Sequence, residues 1–184
     1  QRHSLFPEGG KHQFGRGDVH LMLAAAMARH RVEARLIEVE ITESAMMGDH
    51  SEAVQQLAAI RGQGGKMLVD DFGTGDSSLS QLQKFAMDGL KIDRAFTMEL
   101  GKSRQGEIFV GAILSMAHAL GMSVVAEGVE TLQQLDILRQ LQCNEVQGYL
   151  ISQPVTAENM RELMKKRFLI ASAEAFPAPS LLPA

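Results

Sequence analysis

The sequence predicts an α/β fold of the TIM-like (β/α)-barrel type, incomplete at its N-terminal strands. Three observations carry this reading: helical and extended segments alternate from Asp18 onward, no internal repeat underlies the alternation, and every extended segment ends in a polar or charged residue. Alternating strands and helices pack as a parallel sheet, because a parallel crossover needs about a helix's length of chain to return.

The elements follow in order. Val19 to His30 carries apolar residues at helical spacing. In the strand Leu36 to Thr42, Ile37, Val39 and Ile41 alternate with Glu38, Glu40 and Thr42, so one face is oily and the other acidic. A helix over Glu52 to Arg61 leads to the strand Met67 to Asp71, which closes on Asp70 and Asp71. Leu79 to Phe85 reads as a helix, with Ser78 and Gln81 at capping-box spacing before it. The strand Gly89 to Asp93 holds Lys91 between Leu90 and Ile92. Gln105 to Leu120 is expected to bury Ile108, Phe109, Ala112, Ile113, Met116, Ala117 and Leu120 on one face against the sheet. The strand Ser123 to Glu127, the helix Leu132 to Leu141 with Thr131 and Gln134 as its capping box, the strand Glu145 to Gly148 and the helix Ala157 to Lys166 complete the series. Five strands cannot close an eight-stranded barrel, hence the incompleteness.

The ends of the chain are different in kind. Pro7, Gly9 and Gly10 oppose a central strand, so residues 1–12 read as an irregular leader or a corrupted remnant. Residues 168–184 read as a disordered tail, because Ala171 to Ala184 is rich in Ala, Pro and Ser and carries one charge. Residues 13–167 form the domain.

Composition narrows the function. A net charge of −4 gives none of the basic footprint that holds DNA or RNA by its phosphates. The apolar stretch Ile108 to Ala126 is interrupted by Ser115, His118, Gly121 and Ser123, which makes it a helix and a strand rather than a membrane span. One cysteine, Cys143, excludes an internal disulfide and a cysteine zinc cluster, and suits a reducing, cytoplasmic setting. The histidines show no ligand spacing.

The strand ends carry the chemistry. Glu40, Asp70 with Asp71, Lys91, Glu127 and Gln147 are residues that a buried parallel strand would not choose for stability. In a (β/α)-barrel the C-terminal strand ends converge on one pocket. Carboxylates gathered there repel one another unless a cation compensates them. Oxygen donors without a His or Cys set suit Mg²⁺ or Mn²⁺ better than zinc. Two such metals activate water and stabilise the leaving oxygen of a phosphodiester. A lysine buried at Lys91 must be paired or catalytic, since an uncompensated ammonium is costly inside a protein.

These strand ends resemble a known family. Glu38-Val39-Glu40-Ile41-Thr42-Glu43-Ser44, Asp70-Asp71-Phe72-Gly73-Thr74-Gly75, Lys91-Ile92-Asp93, Ala126-Glu127-Gly128-Val129-Glu130-Thr131 and Gln147-Gly148-Tyr149-Leu150 occur in the order and places of the bacterial EAL domain. The resemblance implies a barrel that binds cyclic di-GMP and opens one phosphodiester to the linear dinucleotide pGpG with Mg²⁺ or Mn²⁺. It makes Glu40, Asp70, Asp71 and Glu127 metal ligands, with Gln147 acting through a water. Lys91, Glu127 and Asp71 become the catalytic group, Glu130 and Asp93 substrate-binding residues, and Glu43 the brace of the Asp71 to Gly75 loop. That loop resembles the family element linking dimerisation to metal binding, which leaves a homodimer open as a partner beside cyclic di-GMP. Asp76 stands where the family usually has an aromatic residue.

The sequence also departs from the family. It contains no Glu-Ala-Leu string, and Glu8 stands in the place of the family's asparagine ligand. The leading expectation is a cyclic di-GMP phosphodiesterase domain by descent, impaired in this chain. The alternatives are an inactive module that binds the dinucleotide or a protein partner, and a glycosidase using paired carboxylates.

Overall fold

The computed structural model describes residues 19–43, 51–73, 82 and 85–166. The segments 1–12 and 168–184, the Ser78 and Gln81 cap, Asp76, and all of the Leu79 to Phe85 helix except Leu82 and Phe85 lie outside them.

Five strands, β1 (Glu38–Thr42), β2 (Lys66–Phe72), β3 (Gly89–Ile92), β4 (Ser123–Ala126) and β5 (Glu145–Val146), form one parallel sheet in the order β1-β2-β3-β4-β5. The order never reverses, so there is no switch point of the doubly wound kind. Right-handed crossovers in an unreversed sheet put every helix on the same face and leave the other face to line an interior. That is the arrangement of a barrel wall, and the expected fold class is borne out.

The helices are α1 (Val19–His30), α2 (Ser51–Gly62), the single turn α3 (Arg94–Thr97), α4 (Arg104–Ala119), α5 (Leu132–Gln140) and α6 (Ala157–Met164). Register explains their packing. Ile41 pairs with Val69, Val69 with Leu90 and Leu90 with Val124, which makes one apolar row on the helix side. This row is buried with Leu23 of α1, Leu57 and Ile60 of α2, and Val110, Ile113, Leu114 and Ala117 of α4. The interior face carries Glu40, Leu68, Gly89 and Ser123 as one row, and Lys91 beside Val125 as the next row toward the strand C-termini.

Several details differ from the sequence expectations. The expected strand Glu145 to Gly148 is only Glu145–Val146, so Gln147 follows β5 instead of lying in it. Leu36 belongs to a 3-10 turn (Ala34–Leu36), so β1 starts at Glu38. The turn α3 was not foreseen; Asp93 caps it by accepting from the Ala95 N–H at 2.7 Å. On α4 the buried face is Val110, Ile113, Leu114 and Ala117, whereas Ile108 is 63% and Phe109 41% exposed. The helix has two neighbouring apolar stripes, and packing on the sheet selects the one through Val110 and Leu114. Phe109 is left on the flank, where it stacks against Phe96 of α3 with ring centroids 4.7 Å apart.

The N-terminal end of the sheet is stapled by polar groups. Asp88 accepts the Met67 N–H at 3.0 Å through its carboxylate, and its carbonyl accepts the Ser123 N–H at 3.0 Å. Asn144 accepts the Val124 N–H at 2.8 Å. Conventional stabilising bonds thus occupy this end, and the surplus charge sits at the other. No helix among the described residues is long and apolar enough to cross a membrane.

Candidate active site

Strand alternation brings Glu40, in the middle of β1, and Lys91, one row further toward the C-terminal end of β3, to the interior face. Glu127 follows β4 directly, its N–H bonded to the Ile92 carbonyl at 3.1 Å, so the ladder extends to hold it. The aspartates need a further device, because consecutive residues of a regular strand point to opposite faces. Between Val69, which pairs with Leu90, and Phe72, which pairs with Ile92, β2 carries one residue more than β3. At this bulge Asp71 has a left-handed φ of 55°. The alternation breaks there, and carboxylate oxygens of Asp70, Asp71 and Glu127 come within 4.8 Å of one another.

Lys91 is the centre of the group. Its Nζ lies 2.6 Å from Glu127 Oε1, 2.9 Å from Glu40 Oε2 and 3.3 Å from Asp70 Oδ1, and its side chain is 7% exposed. Burial alone would lower its pKa, but the hydrogen bonds to Glu127 and Glu40 outweigh it and hold the ammonium charged, above the usual lysine range. Glu127 is pushed upward, first by burial, then by the charges of Asp70 and Glu40; Lys91 offsets this only in part. Both partners of one ion pair are therefore raised. Burial raises Glu127 first and the neighbouring carboxylates add to it, while the hydrogen bonds to those carboxylates raise Lys91; with one ammonium answering several carboxylates, negative charge is left over.

That surplus has a place to be used. Asp70 Oδ1 is buried without a hydrogen-bond partner, although it stands 3.3 Å from the Lys91 ammonium. A carboxylate oxygen that accepts no hydrogen bond, beside two more carboxylates and with no His or Cys in the group among the described residues, fits a hard divalent cation such as Mg²⁺ or Mn²⁺.

The remaining residues singled out in the sequence have separate surroundings. Glu43 is buried and accepts the Gly73 N–H at 3.1 Å; the loop beyond Gly73 lies outside the described residues. Asp93 caps α3. Glu130 is paired with Arg94 at 2.7 Å. Gln147 is exposed, and its backbone N–H bonds to the Ala126 carbonyl at 2.8 Å. The sequence reading gave no site role to two residues. Arg94 gave no signal beyond its place after Lys91-Ile92-Asp93, and Gln134 was recognised only as half of a helix cap.

Comparison with known proteins agrees with this geometry. The family model "EAL domain" matches residues 10–154. The cyclic di-GMP phosphodiesterase NbdA of Pseudomonas aeruginosa is 41% identical over 142 residues, covering 74% of this chain and 18% of NbdA. This chain thus spans about a fifth of that relative's length. Among solved structures, the PaMucR phosphodiesterase in complex with c-di-GMP superposes with a TM-score of 0.77 at 36% identity, covering 83% of this chain and 62% of that one. Klebsiella pneumoniae BlrP1 with calcium and cy-diGMP superposes with a TM-score of 0.70 at 30% identity, covering 79% and 39%. BlrP1 was also solved with manganese and cy-diGMP. With a family match over most of its length and these strand ends in place, this chain belongs to the EAL domain family.

Proposed function

We propose that the acidic group around Lys91 is a site for metal-dependent opening of one phosphodiester of cyclic di-GMP, and that this chain by itself performs the reaction slowly or not at all. The observation that carries the reading is the buried Asp70 Oδ1, which accepts no hydrogen bond although it is 3.3 Å from the Lys91 ammonium, set near the carboxylates of Asp71 and Glu127. NbdA, PaMucR and BlrP1, similar proteins named for this dinucleotide, support it.

Asp70, Asp71, Glu127 and Glu40 would hold Mg²⁺ or Mn²⁺, which when bound supplies positive charge for the phosphate and acidifies a water. Lys91 orders Glu40 and Glu127 through its short hydrogen bonds and stands ready to donate to a phosphate oxygen as charge develops there. Glu43 holds the Gly73 backbone and thereby the start of the loop after β2. Gln147 would reach the site through water, and Glu130 with Asp93 would face the dinucleotide. Close clustering on one ammonium favours this reading over a glycosidase, whose two carboxyl groups stand about 5 to 9 Å apart across a sugar.

The impairment follows from the ligand count. The sequence has no Glu-Ala-Leu string and only two asparagines, Asn144 and Asn159. Asn144 accepts the Val124 N–H at the opposite end of the sheet, and Asn159 lies in α6. A ligand set short of two members leaves the reacting groups misplaced, and about 1 Å of error costs roughly a hundredfold in rate. This shortage is what favours the second reading, a module that binds the dinucleotide without hydrolysing it.

The test is to incubate the chain with cyclic di-GMP and Mn²⁺ or Mg²⁺, with Ca²⁺ as comparison, and separate the linear product. Turnover is expected to be at least about a hundredfold below that of the same chain extended with the family's first strands, and Asp70→Asn abolishes it in both. Robust hydrolysis by the 184-residue chain overturns the impairment. Failure to bind the dinucleotide with any of the three metals overturns the site.

A further inference from the structure

Beyond the carboxylate cluster, the loops after β3 and β4 are locked to each other by a device centred on Arg94. Its Nη2 lies 2.7 Å from Glu130 Oε1, with the two side chains 55% and 38% exposed. An exposed pair of this kind ordinarily contributes little, because two long side chains must be ordered to make it. Here both sides are ordered by other means. Gly128 has a left-handed φ of 67°, and a Cβ on it would collide with Cβ, Cγ and Cδ of Arg94, so the arginine stem lies directly on glycine backbone. On the other side, the Glu130 N–H bonds to Gln134 Oε1 at 2.8 Å. Gln134 is buried, takes the Thr131 N–H at 3.0 Å and donates to the Thr97 carbonyl of α3 at 3.3 Å. The turn that begins with Arg94 and the segment that carries Glu130 are thus one rigid unit.

We propose that Arg94 is a positioning residue for the cyclic-dinucleotide site: seated on Gly128, it fixes the Glu130 carboxylate by one oxygen and leaves the other to accept a donor of the bound dinucleotide. This rests on the reading of the pocket given above. Both residues follow strands whose C-terminal ends carry Lys91 and Glu127, so the unit stands at the same end of the sheet as the cluster. The guanidinium suits the task better than an ammonium, since its planar fork grips a carboxylate in a defined orientation. Gly128 is required twice, for its backbone conformation and for the space Arg94 fills.

The test measures cyclic di-GMP binding to the 184-residue chain by calorimetry in Ca²⁺, for the parent, Arg94→Ala, Arg94→Lys, Gly128→Ala, Glu130→Ala and the Arg94→Ala/Glu130→Ala double variant. Arg94→Ala is expected to weaken binding about tenfold, but no more than about twofold once Glu130 is already alanine, because a residue acting through another loses its effect when that partner is gone. Arg94→Lys keeps the stem and the charge and recovers part of the loss, which separates the role from a folding defect. Gly128→Ala reproduces the loss with the arginine still present, and Mn²⁺ affinity stays at the parent value. Equal losses in both backgrounds would mean that Arg94 touches the ligand itself, and an unchanged affinity would mean that the pair orients nothing; either overturns the proposal. If the parent chain binds no dinucleotide, the reading of the pocket falls instead.

Discussion

The Lys91 ammonium and the Glu127 carboxylate lie 2.6 Å apart at the C-terminal ends of adjacent parallel strands, with only 7% of the lysine side chain exposed. Glu40 and Asp70 converge on the same nitrogen. In the absence of metal, Lys91 is the only positive charge among the described residues that these carboxylates contact. Its replacement by alanine leaves three partly buried carboxylates unanswered, 20 to 29% exposed, a change expected to cost up to about 3 kcal/mol, the lower end for removing one partner of a fully buried pair. Urea unfolding of Lys91→Ala in a chelating buffer is expected to show that loss. Saturating Mn²⁺ should restore part of it, through the stability gained when a ligand binds only the folded state. Equal stability of parent and variant without metal would show the carboxylates to be solvated rather than held by the lysine.

The bulge at Asp71 yields a second prediction. Asp71→Gly removes the carboxylate but suits the left-handed φ of 55°, so stability is expected to stay within about 1 kcal/mol while Mn²⁺ binding is lost. Asp71→Val loses the same ligand and also places a β-branched residue where it does not fit, a further cost of about 1 to 2 kcal/mol. Thermal melts and metal titrations of the two variants separate ligation from backbone strain. Identical melting temperatures would mean that the bulge relaxes freely.

Asn144 tests the division of labour between the two ends of the sheet. Asn144→Ala strands the Val124 N–H and removes the group 3.0 Å from His118 Nε2. A loss of about 1 to 3 kcal/mol in stability is expected. Cyclic di-GMP binding, measured where the variant remains folded, should not change. A weakened affinity would show that the stapled end communicates with the cluster.

Cys143 supplies a pH dependence. Burial pushes its thiol up to about 11, against hydrogen bonds from backbone N–H groups that would lower it, and the S–H points at the Glu145 carbonyl 3.2 Å away. The folded chain is therefore expected to resist a thiol reagent at pH 8 and to react at once when unfolded. Because folding raises the thiol above its ordinary value of 9.0, its contribution to stability is complete below pH 9 and is lost as pH rises toward 11. Rapid labelling of the native chain at pH 8 would contradict this.

Much of the molecule was determined by the sequence alone, because the signals involved are local. Alternation along Ile37 to Thr42, helical spacing in the intervening segments and polar residues at strand ends specify a parallel α/β sheet with its chemistry at one end. The Thr131 and Gln134 cap is such a local signal, and both of its reciprocal bonds form. Tertiary structure decided what depends on register between distant segments. Which apolar stripe of α4 is buried is settled by where the helix lands on the sheet, so Val110 rather than Ile108 faces the core. That Asp70 and Asp71 meet Glu127 depends on the extra residue in β2 opposite Lys91, which no spacing within β2 reveals. The grip of Arg94 on Glu130 depends on Gly128, far from Arg94 in the chain but beneath it in space. Periodicity reports which face a residue occupies within its own element; the contacts that join elements arise only when their backbones are brought side by side.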